Sequence, residues 1–250
     1  CLAIRALLRM SGRDERKVTA QDLGFSVGPR LNAAGRLDDM ALGVACLISD
    51  DLSQVEVMAQ QLHAMNLERR SIEADMQEAA NIALDEVDVS NRFSLSIFEP
   101  GWHQGVIGIL ASRVKEQYHR PVIAFAAAGD GTLKGSGRSI AGLHLRDALD
   151  LVAKRRPGLI LKFGGHAMAA GLTIAEDNFS DFEEAFEDVA KSLLTVSDLD
   201  AVIEIDGHLA AHEMAWELAA SLEKQVWGQG FPAPIFAGQF EVKQQKIVGE

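Results

Sequence analysis

The sequence predicts an α/β protein: a helical N-terminal stretch, one long helix, a mixed-sheet α/β unit and the start of a β-rich segment. Three observations carry this. Apolar residues from Val55 to Ala79 recur at spacings of three, four or seven, which is helical periodicity. Strand-like and helix-like patterns alternate throughout 92–194, as in a compact α/β unit. A new pattern with its own strands begins near Asp198.

In chain order, residues 1–11 read as the end of a helical region. Gly24 to Arg36 holds three further glycines or prolines at 28, 29 and 35, and reads as a rigid loop. A helix over Met40 to Ile48 follows, with Asp38 or Asp39 as its cap. Ser53 and Glu56 form a capping-box pattern that opens a helix running to Val87, with Val55, Met58, Leu62, Met65, Ile72, Met76 and Ala79 as its core stripe. At 1.5 Å per residue this helix spans about 50 Å, long enough to connect two domains. Strands are expected at Phe93–Ile97, Pro121–Ala127, Leu159–Leu161 and Ala169–Ile174, and a glycine-bearing strand or loop at Thr132–Ser139. Helices are expected at Gly105–Tyr118 and Leu145–Lys154. Another is opened by a second capping box at Ser180 and Glu183, with Phe182, Phe186, Val189 and Leu193 inward and the acidic face at 181–188 in water. Beyond it come a strand at Asp198–Asp206, a helix near His212–Lys224 and a strand from Gln239. The expected domain bounds are 1–52, 53–88, 89–196 and 197–250. The chain opens on Cys1 within an apolar helical pattern and closes in a strand-like one, so it reads as a segment of a larger protein.

Composition excludes some classes. At 48% hydrophobic and 24% charged residues, the chain is neither disordered nor of low complexity. It has no apolar run of about 18 residues for a membrane helix and no signal peptide. Two cysteines are too few for a disulfide or zinc framework, which points to a reducing cytoplasm. The net charge of −12 argues against nucleic acid on average. Partitioned, it does not: ten Lys/Arg against four Asp/Glu give residues 101–172 a charge of +6, between acidic flanks of −6 and −12.

That basic block carries three of four candidate motifs. In Lys134–Ser139, glycines that expose backbone N–H groups stand among Ser136, Arg138 and Lys134, a set suited to phosphate; the alternative is a tight turn beside a solvated Arg. It is neither a P-loop nor a dinucleotide fingerprint. Gly164, Gly165 and His166 place an imidazole after a sharp bend, where it could serve as a phosphate donor or as a structural residue. Gly101–Gly108 leads into a helix whose first N–H groups are available, with Trp102 read as packing. The fourth motif, outside the block, is Gly28–Arg36, where Arg30, Asn32 and Arg36 suit a phosphodiester backbone, although at least one Arg could equally be structural. His208 and His212 lack a third metal ligand, and Asp38, Asp39, Asp50 and Asp51 read as caps and loop acids.

Together the motifs GPRLNAAGRLDD at 28–39, GWHQGVIGILASRVKE at 101–116, LKGSGRS at 133–139 and KFGGHAMAAG at 162–171 resemble the RecJ family of single-strand-specific DNA exonucleases, within the DHH phosphoesterases. The resemblance covers nearly the whole chain. It implies that residues 1–52 are the end of a catalytic DHH domain, 53–88 its connecting helix, 89–196 the DHH-associated domain and the tail the start of an OB-fold domain. It implies 5′-to-3′ hydrolysis of single-stranded DNA in repair and recombination, with two manganese or magnesium ions. Their ligands would lie upstream of Cys1, so neither catalytic nor metal residues are expected here, and the chain alone should not cut DNA. Ser136, Arg138, Gly164, Gly165 and His166 match the family's phosphate binders, and Arg30, Asn32 and Arg36 the residues near its narrow strand opening. The implied partners are single-stranded DNA, a single-strand-binding protein and a helicase, for a monomer with no membrane contact. Two alternatives stand beside this: a DHH-type phosphoesterase for short oligonucleotides or nucleotide phosphates, and a noncatalytic nucleic-acid-binding module.

Overall fold

The structure is a computed structural model that describes residues 1–85, 88–228 and 230–246. Helix α1 (Leu2–Met10) and the short α2 (Ala20–Asp22) lead into a π-helical turn at Leu23–Val27. Helices α3 (Gly28–Leu37), α4 (Ala41–Ile48) and α5 (Leu52–Asp85) follow. The α/β unit runs β1 (Leu95–Phe98), α6 (Ile107–Tyr118), β2 (Val122–Ala127), β3 (Thr132–Arg138), α7 (Leu145–Arg155), β4 (Lys162–Gly165), β5 (Ala169–Ala175) and α8 (Phe179–Leu193). Beyond a 3-10 turn at Val196–Leu199, α9 (Trp216–Glu223) lies in the tail.

The expected loop at 24–36 is instead helical. Pro29 sits in the first turn, where its missing N–H costs nothing and its fixed φ suits a helix. Ala33 and Ala34 are fully buried in the N-terminal helical layer, so burial outweighs the weak propensity of the glycines. The first capping box is also corrected. Asp51, not Ser53, caps α5: its Oδ1 accepts from the N–H of Ser53 at 2.9 Å and of Gln54 at 3.3 Å. The Ser53 hydroxyl, which donates to the same oxygen at 2.7 Å, and then those backbone bonds hold its carboxyl below the usual aspartate range. Likewise α8 begins at Phe179, so Ser180 lies inside it and makes no cap.

Helix α5 runs through its predicted stripe, of which Val55, Leu62 and Met76 are buried and Met58, Met65, Ile72 and Ala79 half-buried; Ala59 is buried with the N-terminal helices, and Ala80 and Leu84 with the α/β unit. One helix thus serves two cores, and its expected end at Val87 lies outside the described residues.

The sheet has five strands in the order β1-β2-β3-β5-β4. Only β1 and β2 run parallel; the other pairs are antiparallel, so the sheet is mixed as predicted. The fourth strand is not Leu159–Leu161 but Lys162–Gly165, because the hairpin register pairs Gly165 with Ala170 and Lys162 with Thr173. One face is covered by α7 and α8 through Phe125, Ile174, Leu149, Phe182 and Phe186. Leu193, expected inward, is 45% exposed at the last turn of α8. The acidic face of α8 is not wholly solvated either. Glu187 is buried, and its carboxylate accepts from the N–H of Phe93 and Ser94 and from Ser94 Oγ at 2.7–3.2 Å. A buried carboxylate with that many donors ties the start of β1 to α8.

After Leu199 the expected strands at 198–206 and from Gln239 are absent among the described residues, where two isolated bridges, Gly207 to Phe236 and Gly228 to Phe231, are the only sheet pairing. Regular strands need partners, and the apolar side chains of this tail, including Val202, Ile203, Phe240 and Val242, have no sheet to cover. The strand-like end at 247–250 lies outside the described residues.

Candidate nucleic-acid interface

The second face of the sheet is only half covered. Helix α6 lies over Val122, Ala124 and Ala126 of β2. Beyond it the outward residues of β3, β5 and β4 form an open shelf. Alternation along β3 sends Leu133, Gly135 and Gly137 into the core and Lys134, Ser136 and Arg138 outward. Register then places Ser136 beside Gly171 and Gly171 beside Gly164, while Lys134 and Lys162 both flank Thr173. The shelf therefore carries Ser136, Arg138, two lysines and a floor of small residues.

This changes the role of two glycines. Gly135 and Gly137 were expected to offer backbone to a ligand, but they face inward, and their space is filled. A Cβ on Gly135 would lie 2.6 Å from both Leu172 Cδ2 and Phe125 Cε1. The polar residues between them form the candidate site, and the glycines let the core close beneath it.

Arg138 is half-buried. Its Nη1 donates to Gly137 O at 2.8 Å and to Ser136 Oγ at 3.3 Å, and no carboxylate pairs with it among the described residues. Burial pushes its guanidinium below the ordinary arginine range, and the charge of Arg36 adds to that. A group so placed gains from an anion. The first turn of α6 closes this end of the shelf. A Cβ on Gly108 would stand 3.0 Å from Ser136 Oγ and 3.1 Å from Arg138 Nη2, so glycine lets the helix N-terminus come close. The positive end of that helix reinforces the preference for an anion.

In the Gly164–His166 motif the two glycines end β4, and His166 opens the turn to β5. Gly165 has a φ of +151° and its Cβ would collide with the Ala169 carbonyl, so glycine is required. His166 N–H donates to Ala169 O at 2.8 Å, and its ring is exposed on the turn. Ser139 N–H donates to Met168 O at 3.0 Å, which holds this turn beside the Arg138 end of β3.

The three residues of the Gly28–Arg36 motif point different ways, because they lie on a helix. Arg30 is buried toward α5, where Nε donates to His63 Nδ1 at 3.1 Å and Nη1 to Ser26 O at 2.6 Å. Burial, and then the charge of Arg30, lower the His63 pKa. Asn32 is exposed on α3. Arg36 reaches the α/β unit, with Nη1 donating to Gly105 O at 3.2 Å. Burial lowers its pKa, Arg69 lowers it further and Glu73 opposes that. Arg36 thus lies electrostatically between Arg138 and the arginines of α5.

Sequence reading missed Gly108, Gly171, Lys162 and Thr173 as members of the shelf. Cross-strand register was the signal needed, and it becomes legible only once β4 is placed. Among the described residues no group of three or more His, Cys, Asp and Glu side chains could hold a metal ion, and no helix is long and apolar enough to cross a membrane.

The family model of the DHHA1 domain matches residues 90–192, and that of the RecJ OB domain matches 205–250. The chain is 54% identical over 251 residues to the single-stranded-DNA-specific exonuclease RecJ of Dickeya dadantii, covering 99% of this chain and 44% of that protein. It is 51% identical to its counterpart in Escherichia coli, with the same coverage. Among solved structures, RecJ of Thermus thermophilus in complex with Mg2+ superposes with a TM-score of 0.78 at 28% identity, covering 94% of this chain and 35% of that one. The same protein in complex with Mn2+ gives the same TM-score. The chain spans about 44% of the length of these curated relatives. The mixed sheet, the connecting helix and the matches along nearly all of its length agree: the chain belongs to the RecJ family.

Proposed function

We propose that this chain supplies substrate binding to a 5′-to-3′ exonuclease that hydrolyses single-stranded DNA from a 5′ end during repair and recombination. The observation that carries the proposal is the shelf itself: Ser136 and Arg138 side by side, closed by the first turn of α6, with a guanidinium that has no carboxylate partner among the described residues. A terminal phosphate would accept from Arg138 in charge-assisted bonds and from Ser136 Oγ. Gly164 and Gly165 would border it from the end of β4, and His166 from the turn that follows. Arg36 would add positive charge, Asn32 would meet the strand from exposed α3, and Arg30 would brace α3 against α5.

Two divalent ions, manganese or magnesium, would supply the activation of water and the stabilisation of the leaving oxygen in the whole enzyme. Among the described residues no cluster of ligating side chains forms that would hold such ions. The part of this chain is to bind and orient the strand. The reading also holds that the protein works in the cytoplasm, as a monomer, with single-strand-binding protein and a helicase as partners.

Binding of 5′-phosphorylated and 5′-hydroxyl oligonucleotides to the chain and to Arg138→Ala tests this. The chain should prefer the phosphorylated end and the variant should lose that preference, by about tenfold or more for a charged hydrogen bond. Equal preference in both proteins would overturn it.

A further inference from the structure

The open face of the sheet extends past the corner held by Ser136 and Arg138. The next outward row is Lys134 on β3, Thr173 on β5 and Lys162 on β4, set side by side by register. At two residues per outward step it lies about 7 Å beyond Ser136, and it spans about 10 Å across three strands. Lys134 Nζ donates to Thr173 Oγ1 at 3.3 Å, which sets its ammonium over the middle of the row. Lys162 is exposed on the outer strand. Among the described residues the lysines with carboxylate partners are Lys154 and Lys191, not these two. Asp130, in the turn before β3, accepts from the N–H and the hydroxyl of Thr132.

Between this row and Arg138 lies bare backbone. Gly171 and Gly164 continue the line of Ser136 across the sheet and face outward. Unlike Gly135, they have no packing reason to be glycine. A Cβ on Gly164 would meet nothing within 4 Å, and one on Gly171 only Gly135 O at 3.8 Å. Neither has a positive φ. Glycine inside a strand costs stability and marks places where something else comes close to the backbone. The floor is therefore open to a ligand lying flat from Ser136 toward the lysines.

The helical layer fixes which way a strand would run. Arg36 of α3 donates to Gly105 O, and Gly108 of α6 stands against Arg138, so α3 meets the shelf at its Arg138 end. A strand held by its terminal phosphate at Ser136 and Arg138, with its body toward Asn32 and Arg36, leaves the lysine row on the far side of that phosphate. Further phosphates joined to the terminal one by anhydride links would fall there.

We propose that the Lys134–Thr173–Lys162 row is a polyphosphate subsite, so that the shelf accepts strands ending in a 5′-diphosphate or 5′-triphosphate. Lysine suits this role as a mobile point charge, where Arg138 and Ser136 hold the inner phosphate by fixed geometry. Such ends are left by reactions that begin a strand de novo from a nucleoside triphosphate. The proposal rests on the proposed function for the inner phosphate and on different residues for the outer ones.

The test measures fluorescence anisotropy of a 3′-labelled oligonucleotide with 5′-hydroxyl, 5′-phosphate and 5′-triphosphate ends, against the 250-residue chain without divalent ions. Circular dichroism melts verify that each variant folds. The triphosphate end should bind about fivefold to tenfold tighter than the monophosphate end. Lys134→Gln with Lys162→Gln should bring the two ends within about twofold, while the monophosphate stays preferred over the hydroxyl. Lys154→Gln with Arg155→Gln makes the same change of charge on α7, behind the sheet, and should keep the gain. No gain in the unaltered chain, a gain that survives in the Lys134 and Lys162 variant, or an equal loss in the α7 variant would overturn the inference. In each of these cases a 5′-phosphate preference that disappears in Arg138→Ala leaves the proposed function standing. Free tripolyphosphate that binds as tightly as the triphosphate end would assign the row to unattached polyphosphate and overturn the inference too. A gain carried by the lysines with no monophosphate preference would keep the row and remove the terminal-phosphate reading. No binding of any end at low salt would overturn both.

Discussion

The two faces of the five-stranded sheet are built by the same strands and serve opposite ends. On the sealed face Phe125, Phe182 and Phe186 meet edge-on and stacked, with ring centroids 5.3 and 5.8 Å apart, under α7 and α8. On the other face α6 covers β2 and its first turn reaches Ser136 and Arg138, while Lys134 and Gly171 stay exposed on an open shelf. In β3 the two roles alternate residue by residue. Side chains that would pack poorly are free to bind because their neighbours carry the stability. The glycines between them belong to the core, where Phe125 and Leu172 occupy the space a side chain would take.

The sharpest break of this contrast is on the sealed face. Phe182→Ala should cost about 3–5 kcal/mol in urea unfolding, as a buried aromatic leaves a cavity, without altering the 5′-phosphate preference of whatever remains folded. Gly135→Ala comes next. If the glycine makes room for the core, overpacking should cost about 1–3 kcal/mol while the phosphate preference stays intact. Lost preference at full stability would instead make it part of the phosphate cradle.

Gly108→Ala should do the reverse. Alanine favours the helix, so stability should change by less than about 1 kcal/mol. Its methyl would press on Ser136 Oγ and Arg138 Nη2, so 5′-phosphate affinity should fall several-fold. Unchanged affinity would mean the phosphate does not sit at that corner.

The smallest expected effect is in pH. His63 accepts from Arg30 and has a folded pKa lowered from 6.5. The unfolded chain therefore binds its proton first as pH falls. The stability this group contributes is present above the unfolded value of about 6.5 and is lost as pH drops through that value toward the folded one. Melting temperatures between pH 7.5 and 5.5 should show the loss, and His63→Gln should flatten it. An identical slope in the variant would place the titration elsewhere.

Much of the architecture was legible in local pattern. The Val55–Ala79 repeat predicts α5, alternation predicts β1, a continuous apolar run predicts β2, and the basic block singles out the segment that carries Ser136 and Arg138. The misplaced elements share a cause. Residues 28–37 are helical because Ala33 and Ala34 are buried, and Lys162–Gly165 pairs because β5 is beside it. Capping went to Asp51 over Ser53, one turn chemistry defeating another within three residues. Glu187 lies within an acidic run, and its burial depends on donors from Phe93 and Ser94, more than 90 residues away in sequence.

By itself the sequence determined the fold class, the mixed sheet's place in the chain, the long helix and the chemistry of Ser136 and Arg138, since periodicity and residue type are local properties. Tertiary structure decided which way those residues point. Arg30, Asn32 and Arg36 lie within seven positions, yet one braces α5, one is exposed and one reaches Gly105. The approach of Gly108 to Arg138 and the alignment of Lys134, Thr173 and Lys162 across three strands are likewise tertiary. Register and helix packing set such distances, and neither is written in spacing along a single chain.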